Sequence, residues 1–287
     1  MRIPLTIGDF LQRADLVFGE RVAVVDEPDT PGSLGSLTYA EVHRRARTMA
    51  ATLEQMGVGE GERVAIVSPN SARFLISFFG VSGFGRVLVP ANFRLNAEEI
   101  RYIVEHSGAS VLLVDPEMDA ALADVTAKHR IVLDGVQDAD LFADRADAEP
   151  TPWSSPDEDA TASINYTSGT TARPKGVQLT HRNCWLNAVT FGWHTSVSDR
   201  DVYLHTLPMF HCNGWGMPYA LTAMGARHVV LRKVDGAEIL RRIEAEGVTL
   251  LCGAPAVVAA ILDAAAAGSS VREGVRMVVA GAPPPSK

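Results

Sequence analysis

Short apolar runs alternate with helical patterns from one end of the sequence to the other, and no other feature limits the fold as strongly. Residues 63–67, 86–90, 111–114 and 131–133 read as buried strands, as do 163–168, 202–207, 228–232, 248–252 and 276–281. Runs this short and uniformly apolar are the pattern of parallel strands covered on both faces. Between them, residues 40–56 place Val42, Ala46, Met49, Ala50, Leu53 and Met56 on one helical face. Thr38 with Glu41 forms a capping box at its start, and Asn96 caps a second helix. Further helices are expected over 181–194, 214–224, 236–246 and 256–267. The alternation predicts an α/β fold of two stacked lobes of mainly parallel sheet flanked by helices.

Residues 134–161 break the pattern with nine acidic residues, one basic residue (Arg145), and Pro150, Pro152 and Pro156. They read as a solvated linker or surface excursion, dividing a first lobe (1–150) from a second (151–287). The 287 residues suffice for a core without staples, and a net charge of −8 excludes a global basic footprint for nucleic acid. Cys184, Cys212 and Cys252 are too far apart for a metal knuckle and suit a reducing cytoplasm. The first twenty residues carry charges throughout and no signal-peptide core. Residues 248–268 are apolar but interrupted by Gly253, Pro255 and Asp263, so a strand, a turn and an Ala-rich helix explain them better than a membrane span.

The segment richest in chemistry is INYTSGTTARPKGV, residues 164–177. An apolar strand opens onto four hydroxyls within five residues, Gly169, and then Lys175. Hydroxyls, freed backbone amides and one ammonium suit the oxygen shell of a polyphosphate. The spacing is not that of a Walker A loop, because Lys175 is followed by Gly176 and Val177. The composition also suits a Ser/Thr-rich surface turn, and the residues alone leave both readings open.

The segment resembles the phosphate-binding signature YTSGTTGxPKGV of the adenylate-forming superfamily. Residues 37–66, 85–115, 207–215 (LPMFHCNGW) and 278–286 (VVAGAPPPS) resemble other segments of that family, so the likeness covers essentially the whole chain. Acyl- and aryl-CoA ligases are the nearest in pattern. Ala172 stands where the family usually has Gly, which limits positive φ there.

The resemblance implies joining of a carboxylic acid to ATP, release of pyrophosphate, and displacement of AMP from the acyl-adenylate by coenzyme A. Thr167, Ser168, Gly169, Thr170 and Thr171 would wrap the phosphates, Lys175 would counter their charge, and Mg²⁺ would bridge phosphate oxygens near the Thr170 or Thr171 hydroxyl. Gly281, Ala282 and Pro283 would lie along the adenine. His211 would position the substrate between acyl site and adenylate, with Asn213, Gly214 and Trp215 bordering the acyl pocket. Lys233 would offer a cation to a coenzyme A phosphate, and no zinc is expected at His205, His211 and Cys212. General base work is not needed at His211, since a carboxylate is already ionised near neutral pH.

The sequence contains no YGxTE segment, no later ribose-binding Asp and no C-terminal lysine of the kind the family uses, and it stops on a core strand. It is therefore expected to be an N-terminal fragment, folded but not competent alone. An adenylation domain that loads a carrier protein and a non-catalytic nucleotide- or acyl-binding short form stay open, as do substrate chain length and homo-oligomerisation. A generic dinucleotide binder is disfavoured by the lack of GxGxxG.

Overall fold

A computed structural model describes residues 3–167 and 173–279. In chain order its strands are β1 (Val22–Val25), β2 (Ser36–Thr38), β3 (Arg63–Val67), β4 (Val87–Ala91), β5 (Ala109–Val114), β6 (His129–Val132), β7 (Thr161–Thr167), β8 (Lys175–Thr180), β9 (Val202–His205), β10 (Arg227–Val230), β11 (Leu250–Gly253) and β12 (Arg276–Val279). Its helices are α1 (Gly8–Phe18), α2 (Tyr39–Gln55), α3 (Ala72–Gly80), α4 (Ala97–Ser107), α5 (Pro116–Asp119), α6 (His181–His194), α7 (Cys212–Trp215), α8 (Met217–Met224), α9 (Gly236–Glu246) and α10 (Pro255–Ala266).

The strands form two six-stranded sheets, ordered β12-β11-β9-β10-β1-β2 and β6-β5-β3-β4-β7-β8. Only the pairs β1–β2 and β7–β8, each at one edge of its sheet, run antiparallel. This is the expected fold class. The expected break at residue 150 does not coincide with a break between sheets, because each sheet draws strands from both sides of it.

Local chemistry explains the helix boundaries. The Thr38–Glu41 capping box opens α2, an Asn96–Glu99 box opens α4, and a Thr180–Asn183 box opens α6. Helices α6 and α9 fall at their expected limits, and the apolar stretch after residue 248 resolves into β11 and α10. Among the described residues no helix is long and apolar enough to cross a membrane. Helix α3, ARFLISFFG, is buried along its whole length, its one charged residue, Arg73, included.

The acidic segment is a surface excursion and not a free linker. It is a strap laid onto the core, with Asp138, Leu141 and Phe142 buried. Asp138 pairs with the buried Arg73 of α3, whose guanidinium also lies over the Phe142 ring. Three arginines of α2 hold the strap from outside: Arg44 on Asp144, Arg45 on the Phe142 carbonyl and Arg47 on the Ala148 carbonyl. Counting charge could not separate Asp138 from its exposed neighbours, because its partner lies 65 residues earlier.

Removing one member of a buried pair strands the other charge, at about 3–5 kcal/mol. Asp138→Ala should therefore lower unfolding stability in urea by about that amount, whereas Asp140→Ala, on the exposed face of the same strap, should shift it by less than about 0.5 kcal/mol. Equal effects would show that the strap is a solvated linker after all.

Candidate functional site

In open parallel sheets, side chains that meet ligands gather where the strands end. Among the described residues, Thr167 lies at the close of β7, His211 follows β9 and Lys233 follows β10. Ser168, Gly169, Thr170 and Thr171, together with Gly281, Ala282 and Pro283, lie outside the described residues.

The hydroxyl-rich segment is bracketed by the β7–β8 ladder, in which Thr167 pairs with Lys175 and Tyr166 with Gly176. Thr167 and Lys175 are both exposed. Gly176 is closely packed there, since a Cβ would stand 3.0 Å from Ile164 Cγ2 and 3.2 Å from Tyr166 Cζ. Alternation along β7 puts Ile164 and Tyr166 on the face that packs against α4, and Ser163, Asn165 and Thr167 on the other.

That second face meets the segment after β9. Ser163 Oγ donates to Asn165 Oδ1 (3.2 Å), Asn165 Nδ2 donates to Asn213 Oδ1 (3.0 Å), and Asn213 Nδ2 donates back to Ser163 Oγ (2.9 Å). Asn165 Nδ2 also reaches the Phe210 carbonyl at 3.4 Å, and Asn213 Nδ2 reaches Tyr219 Oη at 3.4 Å. The ring of bonds is buried and leaves its amides satisfied.

Residues 212–216 form a left-handed turn, with φ of 46° at Cys212, 48° at Asn213, 58° at Gly214, 60° at Trp215 and 76° at Gly216. Consecutive left-handed residues are costly for side chains other than glycine and persist only when surrounding contacts impose them. Here Asn213 is bound by the ring, Trp215 packs edge-on to Phe191 at 6.1 Å, and Gly216 lies so close to Asn187 Oδ1 that a Cβ would sit 2.1 Å from it. His211, just before the turn, is exposed, with Nε2 3.8 Å from Cys212 Sγ. The structure thus joins Asn213 to β7, buries Gly214, leaves Trp215 half-buried and exposes Lys233.

Several contributors were not legible beforehand. Asn70, after β3, donates from Nδ2 to the carbonyls of His205 (3.0 Å) and Leu207 (2.9 Å) and accepts from Met209 N (2.8 Å). Arg232, beside Lys233, makes a two-pronged bond to Asp115 after β5 (3.0 and 2.9 Å) and reaches Glu117 at 3.0 Å. His205 turns inward to His228, Nε2 to Nδ1 at 2.9 Å, with the rings stacked 5.2 Å apart. Thr222 Oγ1 donates to the Pro218 carbonyl, so it accepts from His228 Nε2, and His205 Nε2 supplies the proton shared with His228 Nδ1. Both rings are neutral in this arrangement. Burial pushes His228 down to about 3 and His205 well below its ordinary value. A signal for His228 existed in the polar residue within the strand 228–232, but nothing nearby in sequence named its partner.

Among the described residues no three His, Cys, Asp or Glu side chains converge on a common metal position.

Two mainly parallel sheets meeting at their carboxyl ends, with a hydroxyl-and-lysine hairpin at the meeting line, define the N-terminal domain fold of adenylate-forming enzymes. The N-terminal domain of FACL13 from Mycobacterium tuberculosis, solved with an inhibitor, superposes with a TM-score of 0.86 at 27% identity over 98% of this chain and 71% of that one. The o-succinylbenzoate CoA synthetase of Bacillus subtilis, solved with its acyl-adenylate, gives 0.81 at 25% identity, covering 96% of this chain and 54% of that one. The chain belongs to the family described as AMP-binding enzyme, which it matches over residues 11–287. It is 38% identical to a long-chain-fatty-acid–CoA ligase of Thermus thermophilus over 98% of its length and 53% of that protein's. It is 35% identical to 4-hydroxybutyrate–CoA ligase 2 of Metallosphaera sedula, covering 96% of this chain and 52% of that protein. The chain thus spans about half the length of the curated relatives it matches.

Unfolding frees the buried rings to their ordinary value near 6.5, so below that pH the unfolded chain binds more protons than the folded one. Stability should be full above about pH 6.5 and fall as pH drops toward about 3, by up to about 1.4 kcal/mol per pH unit for each ring. Urea midpoints between pH 7.5 and 5 check this, and His228→Gln should flatten the slope. An unchanged slope in the variant would mean that the pair takes up no proton on unfolding.

Proposed function

We propose that this chain supplies the polyphosphate and acyl subsites for ATP-dependent activation of a carboxylic acid, with a fatty acid as the favoured class, to acyl-AMP and then acyl-CoA. The observation that carries the reading is the pairing of exposed Thr167 with exposed Lys175 on either side of the hydroxyl-rich segment, at the carboxyl end of a parallel sheet.

A carboxylate and ATP are both anions, so adenylate formation depends on alignment and on neutralising charge that shifts onto the leaving pyrophosphate. Lys175 meets the phosphates as a point charge, and Thr167, Ser168, Gly169, Thr170 and Thr171 supply hydroxyls and amides. Mg²⁺, where bound, adds further neutralisation of those oxygens. Gly281, Ala282 and Pro283 flank the adenine. His211, held just before the left-handed turn, orients the acid, with Gly214 and Trp215 beside the acyl chain. Asn213 acts there through the turn it holds. Lys233 offers charge to a coenzyme A phosphate. Names of relatives support coenzyme A as the acceptor over a carrier protein. The unpaired thiols of Cys184, Cys212 and Cys252 support a cytoplasmic setting.

Two measurements on the 287-residue chain test this. MgATP should bind saturably, and Lys175→Ala should weaken binding about tenfold or more, as expected for a charge-assisted contact of about 1.5–3 kcal/mol. Absent binding, or binding indifferent to Lys175, removes the assignment. Pyrophosphate release with octanoate, palmitate or benzoate should stay near background, because the Glu, Asp and Lys that the resemblance implies do not occur in these residues. Clear release with one acid would name the substrate class and show those groups dispensable.

A further inference from the structure

Helix α4 touches the chain on both sides of the hydroxyl-rich segment. Tyr102 and His106 stand one turn apart on it, so their side chains project from the same face. Tyr102 Oη donates to the Pro174 carbonyl at 3.2 Å, and the Arg173 guanidinium lies 5.3 Å from the centre of the Tyr102 ring. His106 Nδ1 is 2.8 Å from Tyr166 Oη. Tyr166 stands edge-on to both rings, at 6.5 Å from Tyr102 and 5.8 Å from His106, and its ring packs closely over Gly176.

The residues so held are the immediate neighbours of the two that face outward. Tyr166 precedes Thr167, and Pro174 precedes Lys175. The helix itself is a firm support: its first turn is closed by the Asn96–Glu99 box, and Ile100, Ile103 and Val104 are buried against the sheet. His106 is exposed and Tyr102 only half-buried, so their contacts add little to the core.

We propose that Tyr102 and His106 are positioning residues that fix the ends of the β7–β8 hairpin, and with them the placement of Thr167 and Lys175 toward a polyphosphate. The ligand class rests on the function proposed above, while the hairpin contacts are independent of it. Neither side chain touches the nucleotide; each acts through the residue that precedes a binding group.

The test compares the 287-residue chain with Tyr102→Phe, His106→Leu, the double variant and His106→Gln. Three quantities are read: amide exchange over 165–167 and 175–177, MgATP affinity, and Tm. A lost hydrogen bond of ordinary strength is worth a factor of about three to ten. The double variant should exchange about tenfold faster in those two stretches and bind MgATP about tenfold more weakly, with Tm within about 3 °C of the parent. His106→Gln, which retains a hydrogen-bonding group, should recover most of the loss. Exchange and affinity like the parent's, or losses that appear only with a collapse of Tm, would overturn the proposal. If the parent chain does not bind MgATP while exchange still responds, the clamp stands and the polyphosphate assignment falls.

Discussion

The amide of Asn70 carries the seam on which the rest of this molecule depends. It sits at the carboxyl end of β3 in one sheet and uses its donors and its acceptor on the segment leaving β9 in the other. An amide this deeply buried tolerates no slack, because each unmet hydrogen bond would carry its full desolvation cost. The chain leaves every parallel strand at the same edge of its sheet, and a two-sheet protein must decide how those edges meet. Asn70 makes that decision in one place, the Arg232–Asp115 pair makes it in a second, and the Ser163–Asn165–Asn213 ring in a third. All three are polar, as they have to be where strand ends present unpaired backbone groups.

The left-handed turn at residues 212–216 follows from the same constraint. Its three residues other than glycine, Cys212, Asn213 and Trp215, each stand against about 1–2 kcal/mol of backbone preference. Asn213 is the residue type that best tolerates such a φ, and its side chain is anchored by β7 and Tyr219. Without that anchor the chain would relax to an ordinary turn, and His211 would lose its fixed place at the rim. The strain is therefore set against a specific network, and that network includes the strand leading to the hydroxyl-rich segment.

How much of this could be read in the sequence depended on the range of the interaction. Capping boxes act over three residues, so α2 and α4 were legible from Thr38–Glu41 and Asn96. Apolar runs report burial directly, so the parallel strands were legible too. Strands β1 and β2 were not: both are short, β2 sits at the sheet edge, and β1 pairs with β10, some two hundred residues later. Helix α3 was not read as a helix although all of it is enclosed, because its run of mostly apolar residues is short. The strap's hold on the core was not legible because Asp138 takes its character from Arg73, and partners distant in sequence leave no mark on local composition. At the site the same division holds. The hydroxyls and Lys175 announced themselves, whereas Asn70, Asn165 and Arg232 look like any other polar residues until their partners are placed.

Three of the regions proposed to face ligands share one construction. Buried Asn165 stands two residues before exposed Thr167, buried Asn213 two residues after exposed His211, and half-buried Arg232 immediately before exposed Lys233. In each case one polar residue is consumed by the seam and its neighbour is left to solvent. A side chain can be held to a fraction of an ångström only if its own backbone is held, and an anchor within one or two residues achieves that without touching the ligand. The same contacts that join the two sheets thus determine which side chains remain available, and where they stand. Pulling the sheets apart by even an ångström would cost the fold its seam and the site its geometry together, since both are written in the same hydrogen bonds.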